Sequence, residues 1–223
     1  MIKEKVKGVG GQKVKGRANL RSLLRDKSLR ARILERVEEF ILNRNAGKEV
    51  WFRELILCIL TSNSSFISAY IALTNLINYL MDSDEKKISE ILRKSGYRFY
   101  NIKAKYIVEA RKFYDKLNVI KDIAEKNVFE AREYLVNNIL GLGMKESSHF
   151  LRNVGYFNLA IIDRHVLQFL RENNIITDDL KHLSKTRYII LEGVLRSIAK
   201  RFGYEVGVFD LFIWYYTTNT ILK

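Results

Sequence analysis

Lys145 and Asp163 are the two side chains of this 223-residue chain whose types and spacing are suited to covalent chemistry. A neutral lysine amine is a nucleophile, and a carboxylate stabilises positive charge that develops while a bond breaks. Asp163 lies 18 positions after Lys145, between an apolar run and the start of a predicted helix. Taken alone, Asp163 is most simply a helix N-cap and Lys145 a solvated cation. Together, around one helical hairpin, they form a candidate site.

The turn before Lys145, made of Gly141, Leu142 and Gly143, has a composition suited to holding a phosphate. Glycine tolerates positive φ and leaves backbone N–H groups uncovered, so that a phosphate can approach closely. The N-terminus of the next helix adds partial positive charge at the same place. Such a turn can grip a DNA backbone without reading its sequence. The alternative for the turn alone is an ordinary helix C-cap and connector.

Three stretches resemble the helix-hairpin-helix DNA glycosylases of base excision, in their lysine-bearing branch. The first is the hairpin with Lys145 and the later Asp163. Residues 97–107 resemble a helix start with the pattern Y-x-N-K-A, and residues 52–63 resemble a long buried helix that ends in a polar T-x-N. The resemblance covers roughly residues 30–223. Chain length and the terminal lysine point to the archaeal type-2 8-oxoguanine DNA glycosylases.

This resemblance implies a repair enzyme that excises 8-oxoguanine from double-stranded DNA and then nicks the abasic site. Lys145 would attack C1′ and form a Schiff base, and elimination of the 3′ phosphate would cut the strand. Asp163 would stabilise the oxocarbenium charge on the sugar. Two alternatives stay open: a bifunctional glycosylase for oxidised pyrimidines, and a non-catalytic DNA-binding module in which Lys145 contacts phosphate and Asp163 only caps a helix.

Excision requires the damaged nucleotide to be flipped out of the duplex into a pocket. Aromatic side chains are the expected walls, and Trp214 in the aromatic C-terminal helix is the first choice, with Phe66 as a second candidate. In the resembled family the C-terminal lysine helps to distinguish 8-oxoguanine from guanine. Lys223 is therefore expected to take part in base recognition, against the alternative of a frayed terminus.

The chain carries a formal net charge of +14, which indicates an anionic partner. Ten of its lysines and arginines fall within residues 1–30. Residues 1–18 are interpreted as a flexible basic arm that either lies along DNA phosphates or is idle. Without a signal peptide or an uninterrupted apolar span, we expect a soluble, cytoplasmic protein. We also expect it to be a monomer that associates with the nucleoid.

No cofactor is expected. Cys58 is the only cysteine, so a four-cysteine iron–sulfur site of the endonuclease III type is excluded, and its apolar neighbours predict a buried structural thiol. His149, His165 and His182 lack the spacing of zinc ligands. A monovalent cation at the hairpin stays open.

Apolar periodicity predicts an all-α fold of about nine or ten helices with two lobes and the hairpin at the cleft between them. The predicted glycosylase domain spans residues 19–223, with a central lobe at about 50–150. The N-terminal helix and about 151–223 would form the second lobe. Ser28 is the expected N-cap of the first long helix, and one apolar stripe continues from Ile107 to Leu117.

Overall fold

The computed structural model describes residues 20–177 and 183–221, and in these residues it contains twelve α-helices and no β-strand. The helices are α1 (Leu20–Arg25), α2 (Lys27–Asn45), α3 (Lys48–Thr61), α4 (Phe66–Leu76), α5 (Glu85–Lys94), α6 (Tyr100–Ala110), α7 (Leu117–Lys126), α8 (Val128–Asn138), α9 (Met144–Asn153), α10 (Arg164–Glu172), α11 (Lys185–Arg201) and α12 (Val206–Thr218). Within the described ranges, none of these helices has both the length and the apolarity needed to cross a bilayer. The predicted all-α fold is confirmed.

Two details of the predicted helices are wrong. Asp26, not Ser28, is the N-cap of α2, and its Oδ1 accepts the N–H of Leu29 at 3.0 Å. Ser28 already lies inside the helix, because Asp26, two residues earlier, provides the cap. The stripe from Ile107 to Leu117 is not one helix, since α6 ends at Ala110 and a 3₁₀ turn separates it from α7. Such breaks keep the apolar spacing, which is why the periodicity gave too few helices.

The first hydrophobic cluster is built around α3. From Trp51 to Leu60 every side chain of this helix except Arg53 is buried, and helices α4, α6, α7 and α9 pack against it. Cys58 is fully buried there, and the loss of solvent raises the pKa of its thiol well above the ordinary value. The cysteine is therefore a structural residue, as predicted.

The second hydrophobic cluster joins the N-terminal helices α1 and α2 to α10, α11 and α12. Phe40 of α2 and Phe209 of α12 are completely buried in it. The segment between α9 and α10 contributes Phe157, Ala160 and Ile162 to the same cluster. Tyr156 and Leu159 of the same segment belong to the first cluster, so the segment runs along the junction between the two.

A buried ion pair joins the two clusters. Arg132 of α8 donates from Nη1 and Nη2 to the two carboxylate oxygens of Glu192 on α11, at 2.7 and 2.9 Å. Both side chains are only 3% exposed. Charges so far from water are stable only when each finds its partner, because the desolvation cost of either one alone is several kcal/mol.

We predict that Arg132→Met lowers the free energy of unfolding by about 3 kcal/mol, the lower end of the range for a buried charge left without its partner. We expect the smaller loss because Arg196 Nη2, 3.7 Å from the Glu192 carboxylate, still provides a positive charge beside it. Urea denaturation followed by circular dichroism measures the change.

Lys185→Met is the matched control, since Lys185 pairs with Glu133 at a largely exposed site. Its removal should cost less than about 1 kcal/mol. Equal losses in the two variants would show that the buried pair contributes no more than a surface pair.

Candidate active site

The hairpin between α8 and α9 requires glycine at its tip. Gly141 has a φ of +87°, and a Cβ built there would lie 2.5 Å from Cδ2 of Tyr106. Gly143 is the N-cap residue of α9 and is exposed, whereas Leu142 between them is buried in the first cluster. The close contact with the Tyr106 ring therefore fixes the hairpin against α6.

Lys145 lies in the first turn of α9 and forms an ion pair with its neighbour Glu146, with Nζ 2.9 Å from Oε1. The other oxygen, Oε2, accepts the N–H of Gly143 at 3.3 Å. The carboxylate thus joins the nucleophile candidate to the hairpin backbone. Its hydrogen bond with Gly143 also occupies one of the hairpin N–H groups that were expected to be available to a phosphate.

Glu146 stays ionised in this position. Burial of its side chain raises the pKa of the carboxyl. The charge and hydrogen bond of Lys145 and the backbone N–H groups together outweigh this effect, so the pKa is lowered overall. The Lys145 side chain keeps about a third of its surface exposed. The nucleophile candidate is therefore held in place while one side of it faces solvent.

Lys103 is a second lysine at this place and is almost fully buried, at 4% exposed. Its Nζ donates to the backbone oxygen of Ile59 at 2.6 Å, where the last carbonyl groups of α3 lack helical partners. Burial lowers the pKa of Lys103 to about 8, and the charge of Glu146 opposes this while that of Lys145 adds to it. The two lysines are thus electrostatically coupled.

Asp163 is the N-cap of α10, as predicted. Its Oδ1 accepts the N–H groups of His165 and Val166 at 2.8 and 2.9 Å. Neither bond uses Oδ2. Both candidate residues therefore stand at the positive end of a helix, Lys145 inside the first turn of α9 and Asp163 at the cap of α10.

The segment before Asp163 is held by α11. Glu192 accepts the N–H of Ala160 at 2.8 Å, and the Tyr188 hydroxyl donates to the carbonyl of Ala160 at 2.7 Å. The same hydroxyl accepts the N–H of Ile162 at 3.2 Å. Non-helical backbone that is buried needs such partners, and here they determine where the chain delivers Asp163.

The last turn of α9 takes part in a second set of buried polar contacts, and one of its members, Asp210, is influenced by the charge of Asp163. Arg152 of α9 donates to Asp210 of α12 at 3.0 Å, and Asn153 donates to Glu54 of α3 at 2.9 Å. Burial raises the pKa of Asp210 to about 7, with Arg152 opposing and the charge of Asp163 adding to the rise. The last turn of α9 is thereby bonded to helices of both clusters.

The candidate base-pocket residues lie in different surroundings. The Trp214 ring is 4.5 Å from that of His165, two positions after Asp163, so this tryptophan packs against the first turn of α10. Phe66 begins α4 and stacks on Tyr70, with centroids 5.9 Å apart, beside the polar end of α3. Lys223 and the basic arm of residues 1–18 lie outside the described residues, as does His182.

Sequence reasoning missed Glu146 and Lys103, although each left a signal. Glu146 follows the N-cap Gly143 by three positions, which is the spacing of a capping box. Lys103 stands on the same helical face as Ile107 and Ala110, so its burial could be read from the pattern. Among residues 20–177 and 183–221, no three His, Cys, Asp or Glu side chains come together as a metal site would require.

A two-lobed helical fold with a glycine hairpin and a lysine-bearing helix at the junction defines the class of helix-hairpin-helix DNA glycosylases. The sequence model of the 8-oxoguanine DNA glycosylase family matches residues 33–204 of the chain. The chain belongs to this family.

Similar proteins agree over nearly the whole chain. The 8-oxoguanine DNA glycosylase/AP lyase of Sulfurisphaera tokodaii is 58% identical over 205 residues, which is 92% of this chain and all of that protein. That of Sulfolobus acidocaldarius is 54% identical over the same shares. The structure of the Methanocaldococcus jannaschii 8-oxoguanine glycosylase/lyase with a 15mer DNA containing 8-oxoguanine is similar with a TM-score of 0.87, at 38% identity, and covers 92% of this chain and 97% of that one.

We predict that Gly141→Ala both destabilises the hairpin and weakens DNA binding, because the new methyl group meets the Tyr106 ring and the residue is held at positive φ. The expected loss of unfolding free energy is about 1–3 kcal/mol for the backbone strain. Urea denaturation and fluorescence anisotropy with a labelled duplex measure the two effects.

Gly193→Ala provides the control, because it lies within α11 and a Cβ there meets nothing within 4 Å. It should be neutral or stabilising by about 0.5–1 kcal/mol. If both variants bind DNA as the native protein does, the hairpin glycine has no role in binding.

Proposed function

We propose that Lys145 and Asp163 carry the chemistry of this 8-oxoguanine DNA glycosylase/AP lyase. The observation that supports this most directly is their placement at the N-termini of successive helices, α9 and α10. An amine is thereby presented beside a phosphate-binding hairpin, and a carboxylate is presented from the next helix.

Lys145 acts as the nucleophile. Its neutral amine adds to C1′ of the damaged nucleotide as the N-glycosidic bond breaks, and the base leaves. Opening of the sugar ring gives a Schiff base between Nζ and C1′, and loss of a C2′ proton then expels the 3′ phosphate. The cleaved strand is the lyase product.

Asp163 acts by charge rather than by bonding to the sugar. Bond breaking at C1′ leaves positive charge on the sugar ring, and a fixed carboxylate lowers the energy of that state. The N–H groups of His165 and Val166, which donate to Asp163, hold its Oδ1 in place. Oδ2 is then available to face the sugar.

The hairpin and the first turn of α9 hold the phosphate backbone. Because Gly143 donates its N–H to Glu146, the phosphate is gripped mainly by the N–H groups at the start of α9 and by the helix dipole. These contacts carry no sequence information, which suits an enzyme that must inspect any stretch of DNA.

The flipped base is stacked on Trp214, whose position against His165 puts it beside Asp163. Phe66, at the polar end of α3, is the candidate for a second wall or for a wedge in the duplex. Recognition of the base by Lys223 stays a prediction. The enzyme works as a monomer on nucleoid DNA and needs no cofactor.

Lys145→Gln should abolish strand nicking and covalent trapping by borohydride, and leave DNA binding within a few fold. The side chain is the nucleophile, whereas backbone N–H groups carry most of the phosphate contact. Gel assays with a duplex containing 8-oxoguanine measure nicking and trapping. Lys200→Gln, at the exposed end of α11, is the control and should be trapped normally. Full trapping of the Lys145 variant would remove this residue from the nucleophile role and revive the non-catalytic alternative.

Asp163→Asn should reduce base excision about 10²–10³-fold, the loss typical when one electrostatic stabiliser is removed. Stability should change little, because asparagine and aspartate are comparable N-caps. Asp84→Asn makes the same change at the cap of α5, where the carboxylate accepts the N–H of Lys87 at 2.7 Å. Single-turnover excision and thermal unfolding are compared for the two. If Asp163 is only a helix cap, its variant will keep the native excision rate, as the Asp84 variant should.

A further inference from the structure

We propose that a cavity between α1, the start of α2 and the turn after α11 binds single-stranded DNA by taking one of its unpaired nucleotides. The volume of this cavity is about 430 Å³, within the range of pockets that hold small ligands. Neither Lys145 nor Asp163 lines it, so the inference does not depend on their proposed roles. The lining residues are three arginines, a leucine and two aromatic residues: Arg21, Leu24, Arg25, Arg30, Phe202 and Tyr204.

The positive charge of the cavity comes from three guanidinium groups. Arg21, Arg25 and Arg30 are all exposed to solvent. Within the part of the chain that the structure describes, neither Arg25 nor Arg30 has an ion-pair partner. By contrast, in a cavity of about 560 Å³ just after α9, Arg44 is already paired with Glu125. Guanidinium groups bind phosphate oxygens through parallel hydrogen bonds, so the arginine cavity is suited to a phosphate.

Phe202 gives the cavity a flat apolar wall. One face of its ring stacks on Phe209 of α12, with centroids 5.9 Å apart and planes 10° apart, and the residue is still 36% exposed. Gly203 follows with a φ of +79°, and the N–H groups of Gly203 and Tyr204 donate back to carbonyl groups of the last turn of α11 at 3.0 and 3.1 Å. This closure of the helix end fixes the ring in place. A fixed aromatic ring with one open face is a platform on which a base can stack.

The cavity and Trp214 lie on different sides of α12. Tyr204 of the cavity packs on Phe212, with ring centroids 4.9 Å apart, whereas Trp214 packs on His165. Phe212 and Trp214 are two positions apart, and on an α-helix this spacing turns the side chains by about 200° from each other. The cavity is therefore distinct from the base pocket proposed at Trp214.

The combination of guanidinium groups and an aromatic ring favours a nucleotide over other anions. The phosphate would pair with the arginines and the base would stack on Phe202, whereas the carboxylates of an acidic peptide would leave the ring without a partner. Bases inside a duplex are already stacked and paired, so only an unpaired base can lie on this ring. A strand fits better than a free nucleotide, because the three arginines belong to the basic segment of residues 1–30, which holds ten lysines and arginines. Successive phosphates of one strand can use such a run of charge.

The stacking contact is tested with a fluorescein-labelled oligothymidylate decamer, whose binding is followed by fluorescence anisotropy. Phe202→Leu keeps an apolar side chain but removes the ring, and it should weaken binding about fivefold or more. Phe202→Trp keeps a ring and should bind the decamer at least as tightly as the native protein. Single-turnover nicking of a duplex containing 8-oxoguanine should be unchanged in both variants, because the cavity is separate from the active site.

The charge of the cavity is tested by combining Arg21→Gln, Arg25→Gln and Arg30→Gln. The slope of log affinity for the decamer against log salt concentration should become shallower by about 2, since each phosphate contact with a single strand contributes about 0.7. A matched control combines Lys86→Gln and Lys94→Gln with Arg93→Gln, which removes the same charge from exposed positions of α5. The control should change the slope much less.

Equal changes in the two triple variants would show that only net charge matters, and would overturn the inference. So would native-like binding of the decamer by a Phe202→Leu variant that circular dichroism shows to be folded. If that variant is unfolded, the arginine variant and competition experiments decide. A glutamate decapeptide that displaces the labelled strand as well as unlabelled decamer does would assign the cavity to acidic peptides, and dTMP that does so would assign it to free nucleotides.

Discussion

Arg132 and Glu192 are an ion pair from which water is excluded, and the geometry of the active site depends on it. The two oxygens of Glu192 bind the guanidinium, and one of them also accepts the N–H of Ala160. The same carboxylate thus joins α8, α11 and the segment that leads to Asp163. Because neither charge is stable alone in this interior, the pair favours the relative position of the two clusters in which Arg132 and Glu192 meet. The distance between the hairpin and Asp163 follows from that position.

The helix termini are the second physical element of the site. A helix N-terminus carries partial positive charge, which favours an anion and disfavours a cation. The Asp163 carboxylate at the cap of α10 and the Lys145 amine in the first turn of α9, the two proposed catalytic groups, both lie at such a terminus. The same kind of helix terminus therefore serves both proposed roles.

How much the sequence could predict depended on the separation of the residues involved. Local signals were sufficient for the hairpin glycines, the Asp163 cap and the burial of Cys58, because each lies within a few residues of its determinants. The N-cap at Asp26 and the break after Ala110 were missed, since apolar spacing continues through both. Arg132 and Glu192 are 60 positions apart, and no periodic pattern pairs them. The contact of Trp214 with His165 likewise depends on how α12 packs.

Helix α9 connects these elements, because it carries Lys145 and Glu146 in its first turn and Arg152 and Asn153 in its last. The last turn is bonded to Asp210 of α12 and to Glu54 of α3, and seven of the ten residues of the helix are buried. Moving Lys145 toward a base inside a duplex would require breaking these buried bonds, each of which leaves an unpaired polar or charged group. A site held in this way does not reach into the duplex. In the proposed mechanism the DNA deforms instead, and the damaged nucleotide comes to Lys145.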